Sequence, residues 1–224
     1  MHFLLLAADY DGTLACDGKV DDKTLDALAR LKASGRKLVL VTGRHLPDLE
    51  QIFPQLELFD RVVAENGALL YQSATGQEKL LAEAAEPRLI SLLKQKGIPI
   101  SVGRVIIATW QPYDTAVLSA IRELGLELQL IFNKGAVMVL PSGVNKATGL
   151  RAALDELGIS LHNVVAVGDA ENDHAFLRIS ECAVAVANAL PSLKEHADVV
   201  MDAPRGAGVT ELIERLLADD LQHG

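Results

Sequence analysis

Phe3-Leu4-Leu5-Leu6-Ala7-Ala8-Asp9-Tyr10-Asp11-Gly12-Thr13 is the stretch from which the fold of this chain is read. Six apolar residues without alternation predict a strand buried on both faces, and the run ends abruptly in two aspartates. In open parallel sheets, ligands sit beyond the carboxyl ends of the strands, so both carboxylates are expected to face a crevice. Side chains two apart on an extended segment point the same way, and Gly12 permits the tight turn that follows. A carboxylate can attack phosphorus to form an acyl-phosphate, and a partner carboxyl can protonate the leaving alkoxide and later activate water. Read alone, the same residues also suit an Asx turn closing a strand.

Outward from this strand, the chain alternates apolar runs with helical spacing. Helix 22–34 precedes the strand Lys37 to Val41; a helix starting at Pro47 precedes the strand Arg61 to Ala64; residues 68–71 and 78–81 pattern as a hairpin. After residue 145 come a helix (146–157), a strand (163–167), a helix (172–178), a strand (182–186), a short helix (191–195), a strand (198–200) and a last helix (207–217). Strands each followed by a helix predict an α/β fold with a Rossmann-like parallel sheet covered on both faces. Between 84 and 144 the pattern becomes helix (87–96), strand (104–109), helix (112–124) and two adjacent strands (127–132, 136–140). This predicts a small inserted α+β domain at 84–144 within a core of 1–83 and 145–224. The insert carries six Lys/Arg against four Asp/Glu, whereas the whole chain is at −9.

Three more motifs fall at the same end of the expected sheet. Thr42-Gly43-Arg44 follows a buried strand, where a hydroxyl and helix N-terminal N–H groups suit a phosphate; Arg44 either reaches substrate or caps the next helix. Gly168-Asp169-Ala170-Glu171-Asn172-Asp173 follows the strand ending at Val167. Three carboxylates within five residues repel one another unless a cation intervenes, and magnesium takes oxygen ligands. Glu171 suits the acidic start of a helix. Lys146 opens the helix at 146, where a lone lysine is usually a solvated surface residue and the dipole opposes its charge; with the other three motifs it would supply positive charge to a phosphate.

Composition sets outer limits. Half of the 224 residues are hydrophobic and 23% are charged, an ordinary globular balance. A net charge of −9 argues against general nucleic-acid binding, which needs a basic face. The first apolar run lacks a basic leader and is too short for a membrane span. Cys16 and Cys182 suggest no disulfide framework, and a reducing cytoplasm is the expected location. No histidine spacing suggests a zinc site.

The four motifs in this order resemble those of the haloacid dehalogenase (HAD) superfamily of phosphotransferases over nearly the whole chain. Ala64-Glu65-Asn66-Gly67-Ala68, with an insert between the second and third motifs, is similar to the Cof-type, C2-capped (type IIB) branch. That branch includes sugar phosphatases, sucrose-phosphate phosphatase and archaeal phosphoglycolate phosphatase. The resemblance implies that Asp9 is nucleophile and metal ligand, and that Asp11 is general acid/base with its main-chain carbonyl on the metal. It implies Thr42, Gly43, Lys146 and Asn172 around the phosphate, Asp169 on magnesium, and Asp173 at the metal and its water shell. Arg44, Glu65 and Asn66 are expected at the substrate rim, and the insert, through Arg104, Trp110, Asn133 or Lys134, is expected to select the leaving group. Tyr10 replaces the more usual apolar residue between the two aspartates.

The expected activity is magnesium-dependent hydrolysis of a small phosphorylated metabolite, phosphoglycolate or a sugar phosphate. A phosphomutase of the same cap class and a non-catalytic phosphate-sensing module are the alternatives. The first is set aside for want of a phosphosugar-retaining signature, and the second because every catalytic position is filled. A dehalogenase would not need the cluster at 169–173.

Overall fold

The computed structural model describes residues 1–221. Its main sheet has eight strands in the order β12-β11-β10-β1-β2-β3-β4-β5. The strands are β1 (Leu5–Asp9), β2 (Lys37–Val41), β3 (Arg61–Ala64), β4 (Leu69–Gln72), β5 (Gln77–Leu80), β10 (Val164–Gly168), β11 (Cys182–Ala185) and β12 (Val199–Val200). From β12 to β3 every pairing is parallel, and β4 and β5 add an antiparallel hairpin at one edge. All five residues of β1 and of β10 are buried, so both faces of the sheet centre are covered. The chain runs outward from β1 through β2 and β3, then returns to β10 on the other side of β1. The β1/β10 boundary is therefore the switch point of the sheet, the place where a crevice opens beyond the strand ends.

The helices α1 (Asp22–Ala33) and α8 (Arg205–Asp219) pack together, and α5 (Lys146–Leu157) lies against β2, β3 and β4. The remaining helices of this part are the short α2 (Leu46–Ile52), α6 (His174–Leu177) and α7 (Pro191–Lys194). No helix among the described residues is long and apolar enough to cross a membrane.

A second, wholly antiparallel sheet has the order β6-β7-β9-β8: β6 (Ser101–Val102), β7 (Ile107–Trp110), β8 (Leu128–Asn133) and β9 (Ala136–Pro141). The helices α3 (Pro87–Gln95) and α4 (Asp114–Leu124) bury Leu89, Leu93, Val117 and Ile121 against one face, with Ile107 and Val139. Alternation along the strands turns Ala108, Trp110, Ala136 and Met138 to the other face, toward the end of β1.

The continuous strand expected at 104–109 is instead two strands joined by a turn. Gly103 N–H bonds the Ile106 carbonyl, and the N–H groups of Arg104, Val105 and Ile106 all donate to the Glu65 carboxylate at 2.8–3.0 Å. The apolar character of Val105 and Ile106 comes from a small cluster with Ala68, Met138 and Leu140, not from strand pairing. The helix expected at 172–178 is a 3-10 turn (Glu171–Asp173) followed by α6.

One close approach fixes the register of α5 on the sheet. Glu65, Asn66 and Gly67 all hold positive φ, and a β-carbon at Gly67 would lie 1.9 Å from the Asn145 carbonyl oxygen. From the other side, a β-carbon at Gly149 would lie 2.6 Å from Gly67 Cα and 2.4 Å from a Val63 methyl. Neither backbone can yield to a side chain without a shift. Gly149→Ala is expected to lower stability by about 1–3 kcal/mol, the usual range for overpacking, although alanine is the better helix former. Denaturant unfolding measures this, and an unchanged or raised midpoint contradicts the close-packed contact.

Candidate active site

Asp9 ends β1, Thr42 follows β2, Glu65 follows β3 and Asp169 follows β10, so the parallel register itself gathers them at one edge. Lys146 arrives from the first turn of α5, whose start is fixed by a capping box between Asn145 and Thr148. Its ammonium lies 2.5 Å from Asp9 Oδ1 and 2.5 Å from Asp173 Oδ1. All three groups are buried. Asp173 Oδ2 accepts the N–H groups of Asp169 and Ala170, at 2.8 and 2.9 Å, which holds the acidic loop in its turn.

The carboxylates of Asp9, Asp169 and Asp173 each present an oxygen within 4.8 Å of the other two. Burial pushes the Asp9 carboxyl up to about 8; the Asp173 carboxylate adds to the rise, and Lys146 opposes it. Burial likewise raises Asp169, against the pull of Lys134. Burial disfavours the Lys146 charge, yet Asp173 and Asp9 outweigh it and hold the amine above its ordinary value. The cluster is thus short of positive charge.

These residues fit a divalent cation. The 4.8 Å spread is close to the about 4.2 Å that separates opposed oxygens in a magnesium shell. Asp173 is fixed by Lys146 and by two backbone N–H groups, whereas Asp9 is bonded through one oxygen and Asp169 by side chains alone, which leaves Asp9 and Asp169 with the most freedom to ligate. The Asp11 carboxylate is turned away, but its main-chain carbonyl accepts no hydrogen bond among the described residues. Thr13 also donates to Asp169, at 3.4 Å.

Asp11 forms a two-bond pair with Arg44, at 2.6 and 2.7 Å, and both are partly exposed. Arg44 also places its guanidinium 5.7 Å from the centre of the Tyr10 ring. This gives Tyr10 a role as a buried support whose hydroxyl bonds the Gly18 carbonyl. Thr42 is wholly buried, and its hydroxyl accepts the Arg44 N–H. A β-carbon at Gly43 would meet Met138 Sδ at 3.3 Å and Asn172 Nδ2 at 3.6 Å. Asn172 donates to Asn66 at 3.0 Å, leaving Asn172 Oδ1 and Asn66 Nδ2 buried without partners.

A cavity of about 580 Å³ opens between Asp9, Asp11 and Arg44 on the main sheet and Trp110, Asn133 and Lys134 on the smaller one. Arg104 does not line it, because its guanidinium pairs with Glu78 on β5. Glu65 does not line it either. The rim position expected for Glu65 is replaced by a brace, in which a fully buried carboxylate holds the turn of the second sheet through three N–H groups. Glu171, expected only at a helix start, accepts the Lys134 N–H at 3.2 Å.

Asn188 is the residue that sequence reasoning missed. It lies just past β11, donates to the Gly12 carbonyl (2.8 Å) and Asp169 Oδ2 (3.2 Å), and accepts the Arg205 N–H. Its position beyond a buried parallel strand was the available signal.

Known proteins resemble this chain over nearly its whole length. A family model of haloacid dehalogenase-like hydrolases matches residues 6–110 and 127–213. Phosphoglycolate phosphatase 2 of Saccharolobus solfataricus is 31% identical over 222 residues, covering 96% of this chain and 93% of that protein. The phosphoglycolate phosphatase of Methanothermobacter thermautotrophicus is also 31% identical over 222 residues, covering 95% and 98%. Among solved structures, a haloacid dehalogenase-like hydrolase from Bacteroides thetaiotaomicron superposes with a TM-score of 0.81 at 19% identity, over 96% of this chain and 99% of that one. A sugar phosphatase of HAD subclass IIB gives 0.77 at 21% identity, over 95% and 98%. The chain belongs to the haloacid dehalogenase-like hydrolase family.

Proposed function

We propose that the protein is a magnesium-dependent phosphatase that transfers the phosphoryl group of a small monoester to Asp9 and then to water. The observation that carries this reading is the meeting of Lys146, Asp169 and Asp173 in a buried cluster around Asp9, which itself lines the cavity. When bound between Asp9 and Asp169, magnesium would neutralise carboxylate charge and draw electron density from the phosphate oxygens.

Lys146 holds Asp9 through one oxygen and so aims the other at phosphorus. Attack forms the Asp9 acyl-phosphate as the ester P–O bond breaks, and Asp11 gives its proton to the departing oxygen. Before that step Asp11 leaves its pair with Arg44 and takes up a proton from solvent, which is the proton it gives. Asp11 then takes a proton from water as the water oxygen attacks phosphorus, releasing inorganic phosphate and restoring Asp9. Thr42, Gly43 and Asn172 border the phosphate place, and Lys146 adds charge to it. Residues 84–144 act as a cap: their sheet roofs the cavity, and the Glu65 brace fixes its height.

A cavity of about 580 Å³ admits a small metabolite. Phosphoglycolate is the first substrate to test, since several relatives of nearly equal length bear that activity in their names; a sugar phosphate is the second. Asp9→Asn is expected to lower release of phosphate from phosphoglycolate by about 10³-fold or more, with the fold retained. Hydrolysis at the wild-type rate would overturn the nucleophile assignment. Chelation by EDTA is expected to abolish wild-type activity and added magnesium to restore it; activity indifferent to EDTA contradicts the metal requirement. Asp11→Asn is expected to cost about 10²–10⁴-fold on an alkyl phosphate and much less on p-nitrophenyl phosphate, whose phenolate departs without a proton. Equal losses on both would remove Asp11 as the acid.

A further inference from the structure

The β8–β9 hairpin turns through Lys134 and Gly135, both with positive φ, and the first of these is a position where Asn or Gly fits more easily than lysine. Two contacts dock this turn on the acidic loop: the Lys134 N–H reaches Glu171, and the ammonium lies 2.5 Å from Asp169 Oδ2. Asp169 is wholly buried, while the Lys134 side chain is 46% exposed and lines the cavity. Among the described residues lining the cavity, Arg44 is the only other Lys or Arg, and it is committed to Asp11.

The charges make the Lys134 contact exchangeable. With all three carboxylates ionised, as ligation of a cation requires, Asp9, Asp169 and Asp173 bring three negative charges, and Lys146 and Lys134 return two. A divalent cation in place of the Lys134 ammonium brings the cluster to neutrality. A cation held through Asp169 Oδ2 cannot share that oxygen freely with the ammonium, so loading it there releases Lys134. Its backbone remains anchored at the turn, and its side chain lines the cavity, so the freed ammonium stays beside that cavity.

We propose that Lys134 is a specificity-determining residue with two successive partners: Asp169 in the metal-free enzyme, and an anionic group on the leaving portion of the substrate once metal is bound. A carboxylate on that portion is the chemistry a lone lysine ammonium in this position selects. Metal loading and leaving-group selection are thereby one event. The leaving-group half rests on the phosphatase reading above, whereas the exchange at Asp169 does not.

The test has two readouts on the purified chain, with Lys134→Met and Lys134→Gln compared so that an effect common to both reports the charge. Calorimetric titration with manganese alone, without substrate, is expected to show about two- to fivefold tighter binding in both variants, as loss of a half-exposed competing ion pair allows. Unchanged or weaker binding overturns the exchange. The ratio of kcat/KM for phosphoglycolate to that for p-nitrophenyl phosphate is expected to fall about tenfold or more in both variants. A proportional fall on both substrates, or none, overturns selection by Lys134. A wild-type chain that hydrolyses no monoester overturns the leaving-group half together with the phosphatase reading, and the manganese titration still judges the exchange.

Discussion

The Lys146 ammonium, held between Asp9 and Asp173 in a place sealed from water, is the contact on which the rest of the structure depends. Removing three carboxylates from water carries a large desolvation cost, and only close, well-made ion contacts offset it. Lys146 supplies two of these contacts at once. It also ties the end of β1 to the loop after β10 and to the start of α5, segments far apart in the chain. The helix dipole opposes a lysine at that start, so the two carboxylates are what keep it there. With its three carboxylates ionised the cluster is short of one positive charge, and so favours a cation beyond the ends of β1 and β10.

A second constraint sets the roof. The turn of Glu65, Asn66 and Gly67 holds three residues at positive φ, a conformation that strains Glu65 above all, and such strain persists only where the surroundings enforce it. Here the enforcement comes from both sides, from the tight passage of α5 over Gly67 and from the Glu65 carboxylate gripping three N–H groups of the smaller sheet. One turn therefore fixes the helix that carries Lys146, the amide of Asn66 against Asn172, and the height of the sheet above the cavity. Floor and roof share a hinge pin.

Much of this was legible in the sequence. Uninterrupted apolar runs ending in Asp-x-Asp and Gly-Asp announce buried parallel strands and what stands at their tips, because backbone register alone brings such tips together. The parallel sheet follows from that, and the family was legible only as a resemblance of the four motifs. What stayed hidden depends on tertiary pairing. Val105 and Ile106 look like strand residues, and nothing local says that a buried glutamate forty positions earlier takes their N–H groups. Arg44 was open between substrate and cap, and its two-bond pairing with Asp11 is visible only when β1 and β2 lie side by side. Asn188 is a single polar residue after an apolar strand, a signal too small to notice without knowing that β11 borders β10. Lys134 could be named as a residue of the insert, but its reach to Asp169 could not.

The most direct test is where a cation settles. Anomalous diffraction from crystals of the wild-type chain soaked in manganese should show one peak per chain, bounded by the carboxylates of Asp9 and Asp169, with the Lys134 ammonium withdrawn from Asp169. No peak at that place, or a peak held by other residues while Asp9 and Asp169 stay bare, would contradict the account at its base.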